Sequence, residues 1–475
     1  MPRLACSTLA ISLPWLVLLG CGDDGGTGGG DAGSASASSS QMAASSSGGS
    51  SCVPGAVLPC YSGPAGTDGV GVCGSGAQTC APDGSGYGAC QGETLPSAEN
   101  CASPLDEDCD GVSQACTGVL LETRTAQGTN PELYGLAFDD EGALYGTGIF
   151  AGEMDFGSGS LTSAGDTDGF AVSFSPDTTP AGAIRFGDAG HEEALSIAAM
   201  PASGFAITGR ASQTVDFATV VAGDPPYATF VGLFTPSMQI RWARGFTSTG
   251  PSYVREVSVN DAGRVAVVGY FENTIDLGAG PMTAAGLDAY VAVYDEATPT
   301  LIWSRALSSA GEDQAENVSI DDEGSVFVSV YHGDSLTLDG VTVAGSGRAV
   351  LKLDPDGAAV FAVDSGDTVA ADQLGGVVVG SNGSLRRVDA AGVEAWSVPG
   401  GYGVIALDPF GNTVAYRYTG EHAILKVDPE GNTLFENPVD FYLVRSMAVD
   451  ATGRFAISGR VGPQDHGATV SWYAP

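Results

Sequence analysis

After residue 117 a single pattern recurs seven times: a short apolar run, a turn rich in Asp and Gly, and a second apolar run. The clearest copies are "LAFDDEGALYGTG" (136–148), "IAAMPASGFAITG" (197–209), "VSVNDAGRVAVVG" (257–269) and "VSIDDEGSVFVSV" (318–330). "AADQLGGVVVG" (370–380), "IALDPFGNTVAY" (405–416) and "MAVDATGRFAISG" (447–459) complete the set. Asp opens such a turn by bonding its own backbone and Gly takes the positive-φ position, so each copy predicts a β-hairpin. A second hairpin recurs between them, in "AYVAVYDEATPTLIWSRAL" (289–307), "AVLKLDPDGAAVFAVD" (349–364) and "AILKVDPEGNTLFENP" (423–438). The unit is therefore four strands, repeated at roughly 35 to 62 residues, which is the signature of propeller blades.

The ends of the array support the count. The chain finishes on "ATVSWYAP" (468–475), which aligns with the third strand of a unit, while "GVLLETRTA" (118–126) reads as a fourth strand with no unit of its own. Joined, they complete one blade and remove two exposed sheet edges. The predicted fold class is all-β: a seven-bladed β-propeller over 117–475, closed by an N-terminal strand. A small disulfide-rich module and a disordered tether precede it. The region resembles a bacterial propeller-repeat family, with "DAYVAVYDEATPTLIWSRA" (288–306) the nearest copy of that family's unit. The resemblance implies a fold and leaves the activity open, because propellers host many unrelated functions.

Residues 1–20 have Arg3 near the start and an apolar run from Leu9 to Leu19, too short to span a bilayer and laid out as a secretory signal. The run ends in Leu18-Leu19-Gly20-Cys21, which resembles a bacterial lipoprotein signal and implies lipidation at Cys21. An ordinary signal peptide with an incidental cysteine is the alternative. Residues 21–51 are rich in Gly, Ser and Ala, a flexible tether with a reach of roughly 30 Å. The expected location is the cell envelope, lipid-anchored at the outer membrane or cell surface.

Eight cysteines follow within 52–116: Cys52, Cys60, Cys73, Cys80, Cys90, Cys101, Cys109 and Cys116. In an exported chain they read as four disulfides stapling a segment too small to hold itself by burial. Their spacing leaves the pairing open. Zinc would call for Cys-x-x-Cys spacing, which is absent. Gly69 to Gly74 match G-x-G-x-x-G, but with no βαβ context the match carries no nucleotide.

In "LDEDCDG" Asp106, Asp108 and Asp110 take positions one, three and five of a D-x-D-x-D-G loop, and Gly111 the sixth. Alternate carboxylates on a tight loop suit a hard cation, with the Val112 carbonyl at position seven. Thr117 stands at position twelve, where an EF-hand places a bidentate Glu, so the expected calcium affinity is weak. An acidic turn held between cysteines is the alternative. The segment also resembles the cysteine-rich metal-binding leader of exported bacterial proteins; its oxygen donors favour Ca2+ over copper.

The balance of 18 Lys+Arg against 56 Asp+Glu, a net −38, repels phosphate backbones and excludes nucleic acid as a partner. Trp242, Trp303 and Trp396 fall in fourth strands, where Phe361 and Phe435 hold comparable places, so packing is their expected role. His191, His332, His422 and His466 are scattered over different blades, and no H-E-x-x-H or G-x-S-x-G motif occurs. The sequence therefore points to a non-enzymatic scaffold that binds a protein or polysaccharide. A polymer-acting lyase or hydrolase with carboxylates at the channel, and a purely structural envelope protein, are the alternatives.

Overall fold

A computed structural model describes residues 52–64, 66–97, 105–107, 109, 117–200, 203–211, 215–216, 221–222, 228–462 and 468–475. Cys21, Cys101, Asp108, Asp110, Val112, Cys116 and His466 lie outside the described residues, as do the signal and tether. The described residues contain strands and no helix.

Four-stranded antiparallel sheets follow one another along the chain. Sheet 1 runs through Gln127–Phe138, Leu144–Asp155, Asp168–Phe174 and Pro180–Phe186. Sheet 2 holds Glu192–Met200, Gly204–Ala211, Ala228–Phe234 and Ile240–Ser248. Sheet 3 holds Ser252–Val259, Arg264–Asp276, Pro281–Asp295 and Leu301–Leu307. Sheet 4 holds Asp313–Ile320, Val326–His332, Gly347–Leu353 and Ala359–Asp364. Sheet 5 holds Thr368–Ala371, Val377–Gly380, Ser384–Val388 and Glu394–Pro399. Sheet 6 holds Tyr402–Leu407, Thr413–Arg417, Ala423–Val427 and Thr433–Pro438. Sheet 7 takes Leu443–Val449, Phe455–Arg460 and Thr469–Tyr473, and its fourth strand is Leu120–Thr125 from the other end of the domain. Hydroxyl pairs lock that last seam, Thr123 with Ser471 at 2.8 Å and Thr125 with Thr469 at 3.0 Å.

The first strand of each sheet packs on the first strand of the next, and Leu443–Val449 packs on Gln127–Phe138. Successive four-stranded sheets arranged this way are β-propeller architecture. Third strands such as "DGFAVSF" are buried on both sides, which is why they read as continuous apolar runs. Fourth strands are less buried, and some, such as "EAWSVP", alternate exposed and half-buried positions. Hydrophobic clusters lie between sheets: Phe174 of sheet 1 meets Trp472 of sheet 7 edge-on at 5.1 Å, within a cluster that also holds Leu133 and Val470. Each such side chain contributes roughly 1.5–3 kcal/mol by leaving water.

Short hairpins that the repeat pattern did not announce sit between second and third strands. Val215–Asp216 pairs with Val221–Ala222, and Leu336–Leu338 with Val341–Val343. Sheets 2 and 3 are also joined directly, through Thr247 and Ser248 against Asp276 and Ile275.

The Asp/Gly turns are structural. Asp139 Oδ1 accepts from the amides of Glu141 and Ala143, and Gly142 adopts φ 82°. Asp321 Oδ1 accepts from Ser325 N, with Gly324 at φ 92°. The fourth-strand aromatics brace the turns of the following sheet. Trp242 donates Nε1–H to Glu296 O, Trp303 to Pro355 O and Trp396 to Pro429 O, at 2.8, 2.9 and 2.8 Å. Phe361 lies against Gly392 in the same way.

In the N-terminal module Val57–Cys60 pairs with Gly76–Thr79, and three disulfides join Cys52 to Cys80, Cys60 to Cys90 and Cys73 to Cys109. Of the acidic loop, Asp106 is buried, and its carbonyl accepts from Val72 N at 2.9 Å. A Cβ on Gly71 would lie 2.0 Å from that carbonyl, so the glycine of the false nucleotide motif serves close packing. Cys109 carries a positive φ of 61°.

Candidate binding site at the strand bulges

A cavity of about 410 Å³ is lined by residues from the first strands of all seven sheets. Six of those strands break register near its mouth. In sheet 1 the shift falls between Leu133 and Gly135, in sheet 3 between Val254 and Glu256, and in sheet 4 between Ala315 and Asn317. Sheets 6 and 7 shift between Tyr402 and Val404 and between Val444 and Ser446, and in sheet 2 Ala194 and Ser196 face consecutive partners. The extra residues are Tyr134, Leu195, Arg255, Glu316, Gly403 and Arg445, and every one of them lines the cavity. A β-bulge re-aims one side chain without ending the strand, so the fold sets a ring of chosen residues at one end of the cavity.

The ring carries mixed charge. Arg445 lies 3.1 Å from Glu132 and over the Tyr134 ring, and Arg460 also binds Glu132. Glu316 pairs with Arg348, which also reaches Asp367 at 3.0 Å. Beside them Glu193 takes Arg210 at 2.5 Å and His191 at 3.0 Å. Burial opposes the charge on Glu193, but these two partners outweigh it and hold its carboxyl below the ordinary value. Arg255 has no carboxylate within ion-pair distance among the described residues. Tyr253 and Tyr270 stack at 4.8 Å beside it, with Arg210 over Tyr253.

One residue inward, a polar belt knits the first strands together. Ser446 Oγ accepts from Leu136 N, Ser196 Oγ from Val257 N, Glu256 Oε2 from Val318 N and Asn317 Oδ1 from Val369 N. Glu256 is the ionisable member. Burial drives its carboxyl up to about 8, against the Val318 bond and the Arg255 charge.

No family model matches the chain, and no curated protein matches it. Solved structures with a similar course include the Dos1 propeller, at 10% identity over 74% of this chain and 95% of that one, TM-score 0.44. The Pan2 WD40 domain of Neurospora crassa matches at 12% over 75% and 97%, TM-score 0.45. Sqt1 from Chaetomium thermophilum matches at 12% over 75% and 100%, TM-score 0.46. The fold assignment rests on the sheets and their packing.

Sequence reading singled out none of the bulge residues. His191 stands at this end of the fold, bonded to Glu193, while His332 is buried with Nδ1 against the carbonyls of Asp334 and Gly345. His422 Nδ1 meets Tyr416 Oη and Phe441 O. Superposing the first strands on their Asp-x-x-Gly turns would have aligned Arg255 with Glu316 and Arg445. The signal was present as a column that no single copy displays.

Proposed function

We propose that the chain is a non-enzymatic, exported, lipid-anchored binding protein. In this reading the seven sheets are the blades of a closed propeller, and the bulge ring at the channel mouth receives a protein partner. The observation that carries it is the set of six bulges, which spends strand regularity to display Tyr, Arg, Glu and Leu around one opening. Tyr and Arg are the residues that most often dominate protein interfaces. Cys21 would hold the lipid, residues 21–51 the stand-off, and Asp106, Asp108, Asp110 and the Val112 carbonyl a weak calcium site that stiffens the stalk. A polysaccharide is the other occupant this mouth would accept, through Tyr134 and the Tyr253–Tyr270 stack.

The test compares two faces of one protein. Envelope partners cross-linked to the full chain are expected to be lost with Arg255→Glu and Arg445→Glu. They should be retained with Glu141→Gln and Glu323→Gln in the Asp-x-x-Gly turns at the opposite end. Equal capture by both variants would refute the mouth as the binding face.

A lyase or hydrolase acting on an extracellular polymer is the second reading. It is favoured by one feature, a carboxyl with its pKa near 8, Glu256, in the same cavity as Tyr134 and Arg255. Polymer cleavage abolished by Glu256→Gln would establish it. With neither binding nor cleavage, a purely structural envelope role is what is left.

A further inference from the structure

Four almost fully buried carboxylates stand where consecutive sheets meet. Asp168 and Glu192 lie between sheets 1 and 2, and Asp288 and Asp313 between sheets 3 and 4. The two pairs share one register. Asp168 faces Phe150 and Asp288 faces Phe271 on the second strands, while Glu192 faces Ala211 and Asp313 faces His332.

Each carboxylate is held in the same manner. One oxygen accepts a backbone N–H: Asp168 Oδ2 from Ala164 at 2.7 Å, Glu192 Oε2 from Asp188 at 3.0 Å, Asp288 Oδ2 from Ala285 at 3.2 Å, and Asp313 Oδ2 from Ser309 at 2.6 Å. The other oxygen of each, Asp168 Oδ1, Glu192 Oε1, Asp288 Oδ1 and Asp313 Oδ1, is enclosed and has no hydrogen-bond partner among the described residues. In the first pair a methyl placed on Gly187 would lie 2.8 Å from Glu192 Oε2 and 3.0 Å from Asp168 Oδ1, so both carboxylates flank one small volume.

Burying such oxygens is costly unless a charge answers them. Arg185 binds Asp168 Oδ2 at 2.5 Å and answers one of the four. Asp288 and Asp313 make no ion pair among the described residues. At the intervening interface the residue in this register is Ser252, whose hydroxyl meets Thr229 at 3.4 Å and Ser248 at 3.2 Å. A neutral side chain there satisfies itself within the protein, and the acid pairs do not.

We propose that the Asp168–Glu192 and Asp288–Asp313 pairs are two inter-sheet sites for a hard divalent cation, with calcium the fitting ion. The donors are all oxygen, which suits calcium and not the softer transition metals. No third His, Cys, Asp or Glu joins either pair among the described residues, so carbonyl and water oxygens complete the shell. These sites are separate from the acidic loop of the stalk, and they tie neighbouring blades together.

Calorimetric titration of the full chain with calcium, and melting in calcium against EDTA, test this. The stoichiometry is expected to fall by one in Asp288→Asn/Asp313→Asn and by two when Asp168→Asn/Glu192→Gln is added. Asp108→Asn/Asp110→Asn should leave both inter-sheet sites. Calcium should raise the melting temperature of the wild-type chain saturably and leave that of the fourfold variant unchanged, with strand content by circular dichroism reporting its folding. If the fourfold variant does not fold, the single Asp313→Asn carries the test through its stoichiometry. Unchanged stoichiometry in the variants overturns the proposal. So does a wild-type chain indifferent to calcium whose melting temperature rises on acidification, since the pairs would then hold protons.

Discussion

Lys426 Nζ lies 3.1 Å from Asp408 Oδ2, and both side chains are fully excluded from solvent. Asp408 also caps its turn through the amides of Phe410 and Asn412, so the ion pair fastens a first-strand turn to the third strand of sheet 6. Burial pulls the Lys426 pKa down, and the neighbouring Asp408 carboxylate opposes that shift. Lys426→Met should lower stability by about 3–5 kcal/mol, because it strands a buried carboxylate. Adding Asp408→Asn, which keeps the cap and removes the charge, should recover part of the loss. Chemical denaturation midpoints of the two variants decide it.

Glu256 makes stability depend on pH with a defined sign. Its carboxyl titrates near 4.5 in the unfolded chain and near 8 when folded, so between those values the folded state holds the extra proton. Its contribution is fully present at low pH and is lost as pH rises towards about 8. Glu256→Gln keeps an acceptor for Val318 N and removes the titration. The variant is expected to be more stable than wild type above pH 8 by a few kcal/mol and to show a flatter melting profile from pH 5 to 8.

The tryptophan braces give a graded pair of variants. Trp303→Phe loses the bond to Pro355 O and part of the ring's packing, and should cost about 1–2 kcal/mol. Gly357→Ala should cost more. Its φ is 82°, and the new methyl would fall 2.8 Å from the Trp303 ring.

Deleting residues 117–126 removes the fourth strand of sheet 7 and bares the edge of Thr469–Tyr473. A lower melting temperature and concentration-dependent aggregation are expected. An unchanged melting curve would mean that the strand seals nothing.

Peptide mapping without reduction should return Cys52–Cys80, Cys60–Cys90 and Cys73–Cys109. Loss of these pairs under mild reduction should unfold the module and leave the propeller's melting unaffected.

The all-β propeller architecture was legible because its signals are local. Each Asp-x-x-Gly turn announces a hairpin whatever surrounds it, and "DAYVAVYDEATPTLIWSRA" spells out a buried strand followed by a braced one. The bulge residues were not legible for an equally physical reason. A bulge adds one residue to a strand, so Arg255 and Glu316 look like ordinary strand positions until the partner strand shows the slip. Disulfide partners are likewise set by the fold and not by spacing. Asp168 and Asp288 read as polar strand ends, and only the neighbouring sheet turns them into halves of a pair. For the acidic loop, Asp106 is the one predicted ligand that the structure describes, and it is tucked against Gly71.

Leu120–Thr125 and Thr469–Tyr473 bring the two ends of the domain into a single sheet, although more than three hundred residues of chain separate them. Residues 469–473 must therefore be made before that sheet can form, and Leu120–Thr125 waits for its partner until they arrive. Once sealed, the same seam lies on the path of any tension entering through Thr117. A strand drawn along its own axis gives way only when all its ladder bonds shear together, so the seam is built to resist a pull along Leu120–Thr125.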